Sequence, residues 1–211
     1  MRPFPAALLA AILLSSCRST GEDRPTLVQP GAPGAATRTI TAAEAADTSR
    51  VQPTASDVRF MQGMIGHHAQ ALEMTALLPS RTDRDDMRLL ARRIELSQAD
   101  EIAMMQRWLR ARGQSVPDAH AHHDHAAALM PGMLTAEDMR RLGAATGKEF
   151  DRLFLEFMIK HHDGALIMVN DLFATAGAGQ EPEIFAFASD VDADQRIEID
   201  RMSALLLEIL K

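Results

Sequence analysis

Apolar residues recur along most of the chain with the 3.6-residue period of amphipathic helices, and no segment alternates apolar and polar residues for long. The pattern predicts an all-α protein whose helices are delimited by capping residues, prolines and glycines. The predicted helix starts are Thr54 or Ser56, Thr82 with Asp85, Thr135 with Asp138, Thr146 with Glu149, and Pro182. The predicted ends are Leu78 before Pro79, Arg112 before Gly113, Thr175 before Gly177, and Leu210.

The sequence of the predicted helical region, residues 54–211, contains an internal repeat. Residues 64–74 and 158–168 are identical at seven of eleven positions, at an offset of 94 residues, and Asp57 and Phe60 recur as Asp151 and Phe154. A later pair of segments matches at an offset of 97 residues, through Gln98/Gln195, Glu101/Glu198, Ile102/Ile199 and Met105/Met202. Two homologous helical hairpins, residues 54–113 and 146–211 with a connector at 114–145, predict an antiparallel four-helix bundle over residues 54–211.

The first 16 residues have the pattern of an export signal. A positive Arg2 precedes residues 4–14, which are almost wholly apolar and too short to span a bilayer. The following Leu14-Ser15-Ser16-Cys17 resembles a bacterial lipobox, and it contains the only cysteine of the chain. We therefore expect a periplasmic or outer-surface lipoprotein anchored through Cys17, with residues 17–53 as a flexible tether. A plain secretory signal with an incidental cysteine is the alternative.

Composition narrows the chemistry. A net charge of -7 argues against a nucleic-acid-binding protein, and one cysteine excludes a disulfide framework or a multi-cysteine metal site. Thirteen methionines and eight histidines, by contrast, provide thioether and imidazole donors for a soft metal ion. This donor set favours Cu(I), with Ag(I), Cu(II) and Zn(II) as further possibilities.

The histidines fall in three clusters: His67-His68, His161-His162, and His120, His122, His123 and His125. On a helical wheel of the first repeat, both histidines lie on or beside the apolar face together with Met64 and Met74. Because Met64 precedes His67 by three residues and His68 by four, one helical turn can offer two donors to a single ion. The opposite, solvent-facing side is predicted to contain Gln62, Gly66, Ala69, Gln70 and Glu73.

The second helix of each hairpin has polar residues within its apolar stripe. The two stripes are Ile94, Gln98, Glu101, Met105 and Trp108, and Val191, Gln195, Glu198, Met202 and Leu205. An unpaired buried charge is costly, so we expect Glu101 and Glu198 each to accept a hydrogen bond from a histidine ring. The glutamates, with Gln98 and Gln195 beside them, would then orient metal-binding imidazoles.

The connector contains the four remaining histidines and then Met130-Pro131-Gly132-Met133. Histidine-rich tracts are typical of metal binding, so we expect a weaker secondary site of His120, His122, His123, His125, Met130 and Met133. A solvated polar linker is the alternative for this segment.

The doubled Met-Ile-x-His-His-x-x-Ala-Leu-x-Met segments, the Gln-x-x-Glu-Ile-x-x-Met helices and the Met-Pro-Gly-Met turn resemble a bacterial family, the domain of unknown function number 305. The resemblance covers roughly residues 57–210 and implies a ferritin-like helical fold, export, and copper binding as in the CopM-like members. By motif it implies the ligands Met64, His67, His68, Met74, Met158, His161, His162 and Met168, to which we add Met105 and Met202. The two repeats differ at one position of this set: Met104, which precedes Met105, corresponds to Arg201 in the second repeat.

These features predict an exported copper-binding protein that sequesters copper or passes it to a partner protein, without catalysis. No residue pattern of a nucleophile elbow or a phosphate-binding loop is present. A di-iron enzyme would need Glu-x-x-His pairs, whereas Met64, Ile65, Met158 and Ile159 stand three residues before the paired histidines. The alternatives are a His-ligated metalloenzyme of the ferritin-like class, and a structural envelope protein whose methionines fill the core and whose histidines only pair with glutamates.

Overall fold

The computed structural model describes residues 27–29, 36–48, 51–118 and 129–211. The chain divides into two compact units, residues 1–47 and 48–211. In the first, strand β1 (Leu27–Gln29) pairs antiparallel with strand β2 (Arg38–Ile40), and helix α1 (Ala42–Ala46) follows. The segment expected to be a tether therefore contains short regular elements. Three-residue strands are too short for an alternating pattern to reveal them.

The second unit consists mostly of helices. They are α2 (Ala55–Leu77), a 3₁₀ turn (Leu78–Ser80), α3 (Asp85–Ala111), α4 (Ala136–Ala144), α5 (Gly147–Ala174) and α6 (Pro182–Ile209). Helix α2 packs against α3, α5 packs against α6, and α2 and α5 pack against each other. Among the described residues, no helix has an apolar stretch long enough to cross a bilayer.

The capping residues predicted from the sequence start most of these helices. The Thr54 side chain accepts hydrogen bonds from the backbone of Ser56 and Asp57, and the Thr135 side chain accepts one from Asp138. At α6, Pro182 occupies the first turn and Glu181 caps the helix. Thr146 precedes α5 as predicted, although its side chain makes no capping hydrogen bond.

The predicted capping box of Thr82 and Asp85 is wrong. Helix α3 begins at Asp85, and its N-cap residue Arg84 makes no side-chain capping hydrogen bond. Thr82 is buried against the Asp151 side chain of α5, and its hydroxyl accepts from the Arg84 backbone N–H at 3.1 Å. The hydroxyl group therefore bonds the residue before the helix and not an N–H group of α3 itself, and its tertiary neighbour is a residue of α5.

The solvent-facing side predicted for α2 is also partly wrong, because Ala69 and Gln70 are buried. The Gln70 amide donates to the Leu134 carbonyl at 3.0 Å and accepts from the Leu134 backbone N–H at 2.7 Å. These two hydrogen bonds hold the end of the connector against α2. A helical wheel cannot include a segment that lies 64 residues further along the chain.

Two equivalent aspartates tie each hairpin to the loop of the other. The fully buried Asp57, in the first turn of α2, accepts hydrogen bonds from the backbone N–H groups of Thr54 at 2.6 Å and Gly179 at 2.7 Å. Gly179 lies in the loop between α5 and α6 and has a φ of +68°. Asp151, the equivalent residue of α5, contacts Thr82 in the loop between α2 and α3. Each aspartate thus joins the two hairpins.

We expect Asp57→Ala to lower the free energy of unfolding by about 3 kcal/mol, because two backbone N–H groups lose a buried acceptor. Urea unfolding of the metal-free protein measures this change. The matched control is Asp138→Ala, which removes the same position of a capping box at the surface of α4 and should cost less than about 1 kcal/mol. Equal losses in both variants would show that Asp57 acts only as a local cap.

Candidate metal centre

Two histidine rings, one from each hairpin, stack where α2 packs against α5. The ring centroids of His67 and His161 are 3.8 Å apart and the ring planes are inclined by 37°. His68 and His162 flank this pair, with ring centroids 6.4 Å and 6.3 Å from those of their sequence neighbours. All four side chains are buried. The helices therefore bring together both histidine pairs singled out in the sequence.

Both flanking histidines pair with the predicted glutamates. His68 Nε2 lies 2.5 Å from Glu101 Oε2, and His162 Nε2 lies 2.7 Å from Glu198 Oε2. When a neutral imidazole donates through Nε2–H, its lone pair is on Nδ1. Among the described residues, the Nδ1 atoms of His68 and His162 have no hydrogen-bond partner. These nitrogens are consequently suited to bind an ion.

The connector contacts one of the two stacked rings. His67 Nε2–H donates to the Pro131 carbonyl at 3.0 Å, and because a carbonyl only accepts, the lone pair of the neutral ring is on Nδ1. The connector backbone approaches α5 so closely that a Cβ atom on Gly164 would lie 2.1 Å from the Pro131 oxygen. A Cβ atom on Gly132 would likewise lie 2.5 Å from the Lys160 oxygen. Only glycine permits this approach on both sides.

His161 is held in its neutral form. Burial lowers the pKa of His161 well below its usual value, and the neighbouring rings of His67, His162 and His68 lower it further. Neither ring nitrogen of His161 makes a hydrogen bond of normal geometry within the described residues. A buried neutral imidazole beside further imidazoles fits a soft or borderline cation, since a protonated ring cannot bind a metal.

The lowered pKa of His161 predicts an acid-sensitive stability. Below about pH 6.5 the unfolded chain binds a proton at this residue that the folded chain does not bind. The free energy of unfolding should therefore decrease as the pH falls from about 6.5, with His161 accounting for about 1 kcal/mol by pH 5.5. Urea unfolding of the metal-free wild type and of His161→Gln at pH 7.5 and 5.5 measures the difference. An identical pH dependence in the two proteins would contradict the prediction.

The predicted methionine ligands divide between two hydrophobic clusters. Met74, Met158 and Met202 belong to one cluster, while Met64 and Met105 belong to the other, against which Met168 packs. Each of these six methionines has its repeat equivalent associated with the other cluster, so both hairpins contribute to both clusters. The six predicted methionine ligands thus form two groups of three and not a single set.

Two of the methionines converge at a glycine that the sequence did not single out. A Cβ atom on Gly63 would lie 3.2 Å from Met130 Sδ and 3.4 Å from Met168 Cε. The connector methionine Met130 therefore lies beside a methionine of α5, whereas Met133 is buried. The sequence placed Met130 and Met168 in different sites, and the structure makes them neighbours.

The remaining predicted site residues are placed less completely. His120, His122, His123, His125 and Cys17 lie outside the described residues. Gln98 and Gln195 are buried on the predicted stripes, but neither amide atom of Gln98 nor Oε1 of Gln195 has a hydrogen-bond partner among the described residues. The described part of the chain contains no group of three or more His, Cys, Asp or Glu side chains that could hold a metal ion.

Solved structures that are similar to this chain include two DUF305 proteins and CopM. A DUF305 fragment from Deinococcus radiodurans is 31% identical, with 74% of this chain and 99% of that chain covered and a TM-score of 0.63. A DUF305 protein from Streptomyces coelicolor, described as secreted, is 30% identical over 73% of this chain and 93% of its own, with a TM-score of 0.62. CopM in its Cu(I)-bound form is 27% identical over 74% and 98%, with a TM-score of 0.57.

CopM also matches in other metal-bound forms. The Cu(II)-bound form is 27% identical with a TM-score of 0.60, and a silver-bound form is 28% identical with a TM-score of 0.55. No curated protein matches this sequence. The family model described as domain of unknown function (DUF305) matches residues 57–206, which include both histidine pairs and both glutamates. This chain is therefore a member of the DUF305 family.

Proposed function

We propose that this protein is an exported copper-binding protein that sequesters copper or passes it on, without catalysing a reaction. The observation that carries the proposal is the stack of His67 and His161, flanked by His68 and His162. Four buried imidazoles of this kind provide nitrogen donors with few competing hydrogen bonds. The methionine clusters on either side supply thioethers, a combination that favours Cu(I).

The glutamates support the same function. A carboxylate that accepts a hydrogen bond from a metal-binding histidine orients the ring and increases its basicity. Glu101 and Glu198 make this contact with His68 and His162. The similar protein CopM has been solved with Cu(I), Cu(II) and silver bound, which supports binding of the same ions by this chain. The pairing of α2 with α3, α5 with α6 and α2 with α5 suits a ferritin-like four-helix bundle around the site.

Anaerobic titration of the purified chain with Cu(I), against a chromophoric Cu(I) chelator and followed by metal analysis, tests the proposal. We expect the protein to compete with the chelator and to retain copper after gel filtration. Zn(II) is the comparison ion, and it should bind more weakly because thioethers are poor zinc ligands. A protein that retains no copper, or that prefers Zn(II), would not have the proposed function.

Export and anchoring belong to the same proposal. We expect radiolabelled fatty acid to be incorporated into the wild-type protein and not into Cys17→Ala, because the lipid would be attached to the only thiol of the chain. The S. coelicolor relative described as secreted supports export. A wild-type protein that is exported but incorporates no lipid would have a plain secretory signal instead.

A further inference from the structure

A groove of about 700 Å³ lies between α3 and α6, and we refer to it as the α3–α6 groove. Its apolar lining includes Met104, Trp108 and Phe187. Its charged lining residues are Asp100, Glu101, Glu183, Asp190 and Asp194, with Arg107 and Arg112. Arg112 is engaged at one end, because it pairs with Glu181 and Glu183 and stacks 4.3 Å above the Trp108 ring. The other charged lining residues are four carboxylates and one guanidinium group, that of Arg107.

One side chain connects this groove to the buried histidines. Glu101 lines the groove with 17% of its side chain exposed, and it contacts His68 at 2.5 Å. Behind it, His68 is fully buried and its Nδ1 has no hydrogen-bond partner among the described residues. The equivalent Glu198 is only 9% exposed. One carboxylate of the groove lining is thus in direct contact with a buried imidazole whose Nδ1 has no partner among the described residues.

The negative charges of the groove act on one another. Desolvation raises the pKa of Asp194, and the nearby carboxylates of Glu101, Glu198 and Asp190 raise it further, opposed by Arg201. Carboxylates in this arrangement repel each other, so a cation entering between them is favoured.

Both hairpins contribute to the groove, but four of its lining residues have chemically different residues at their repeat positions. At the 97-residue offset of the repeat, Met104 corresponds to Arg201, Asp100 to Ile197, Asp190 to Arg93, and Asp194 to Ser97. At the repeat positions, the thioether and the three carboxylates of the groove are therefore replaced by two cations, an apolar residue and a hydroxyl group. The acidic lining is thus not a by-product of the repeat.

We propose that the α3–α6 groove is the route by which a soft monovalent cation, Cu(I) or Ag(I), reaches the buried histidines. The carboxylates attract the ion, Met104 offers it a thioether on the way, and Glu101 connects the groove to His68. The inference rests on the proposed copper-binding function and adds the direction from which the ion enters. Residues along a route change the association and dissociation rate constants of the ion by the same factor, so the affinity stays unchanged.

The chain provides its own reporter for this step. Trp108 is the only tryptophan, there is no tyrosine, and the indole lines the groove. Stopped-flow tryptophan fluorescence of the full chain, mixed with silver nitrate in chloride-free buffer at low ionic strength, therefore follows entry of the ion. The test variants are Asp190→Asn with Asp194→Asn, and separately Met104→Leu. The matched controls are Asp171→Asn with Asp200→Asn, two exposed residues outside the groove, and Met139→Leu.

We expect the double aspartate variant to associate about five-fold more slowly than its control at low salt, with an unchanged dissociation constant. The difference should shrink as added salt screens the groove. We expect Met104→Leu to slow association relative to Met139→Leu at all salt concentrations. Association at the control rate in both groove variants would overturn the inference, as would a loss of affinity that comes from faster dissociation alone. A wild-type chain that retains no Cu(I) or Ag(I) at equilibrium would instead refute the proposed function itself.

Discussion

Replacing His67 and His161 together by glutamine is expected to weaken Cu(I) binding by more than about 100-fold, which exceeds the effect of removing a group that only orients a ligand. The two rings come from different hairpins and stack at a centroid distance of 3.8 Å, so the double variant removes the pair that both halves share. Glutamine keeps polarity and approximate volume while removing the ring nitrogens. Anaerobic chelator competition measures the affinity.

A milder variant separates the loss of a metal-binding ring from the loss of a group that only orients such a ring. Glu101→Gln retains every imidazole and changes only the partner of His68 Nε2, so we expect a loss of about 10-fold. Helical circular dichroism and thermal unfolding without metal establish that each variant is folded. A folded double histidine variant with wild-type affinity would show that the four histidines are internal hydrogen-bonding groups. If the double variant does not fold, the single variants His67→Gln and His161→Gln answer the same question.

Gly164→Ala is expected to destabilise the protein by about 2–3 kcal/mol, although alanine normally stabilises a helix by about 1 kcal/mol relative to glycine. The new Cβ atom would lie 2.1 Å from the Pro131 oxygen and 2.6 Å from Gly132 Cα. Because these neighbours are backbone atoms, the connector must move away from α5. The hydrogen bond from His67 to the Pro131 carbonyl should then be lost.

The control for this prediction is Gly143→Ala in α4, where a Cβ atom would meet nothing within 4 Å. We expect it to be neutral or stabilising by up to about 1 kcal/mol. Urea unfolding measures both variants, and Cu(I) titration shows whether displacing the connector also changes the affinity. If Gly164→Ala were as stable as Gly143→Ala, the close contact between connector and helix would not exist in solution.

Local sequence signals determined the helices and the pairing of polar groups within each hairpin. Thr54, Thr135 and Pro182 start helices where capping chemistry predicts them, because those interactions involve residues only a few positions apart. A contact of Glu101 and of Glu198 with a histidine ring was also predicted, since a buried charge within an apolar stripe requires a partner. The structure identifies these rings as His68 and His162. The repeat further indicated that both halves would make the same contact.

The tertiary structure alone decided how the connector and the two halves meet. The connector occurs once, so it contacts the two repeats differently: it hydrogen-bonds Gln70 on α2 and packs against Gly164, the equivalent position on α5. The two repeats differ at this position, which is glutamine in one and glycine in the other, but no local pattern shows that the connector packs there. Three further features likewise depend on how the two hairpins pack. They are the stacking of His67 on His161, the division of the methionines into two clusters, and the contact of Thr82 with Asp151. Side-chain periodicity specifies which face of a helix is buried, whereas the partner of that face is set by long-range packing that no local pattern encodes.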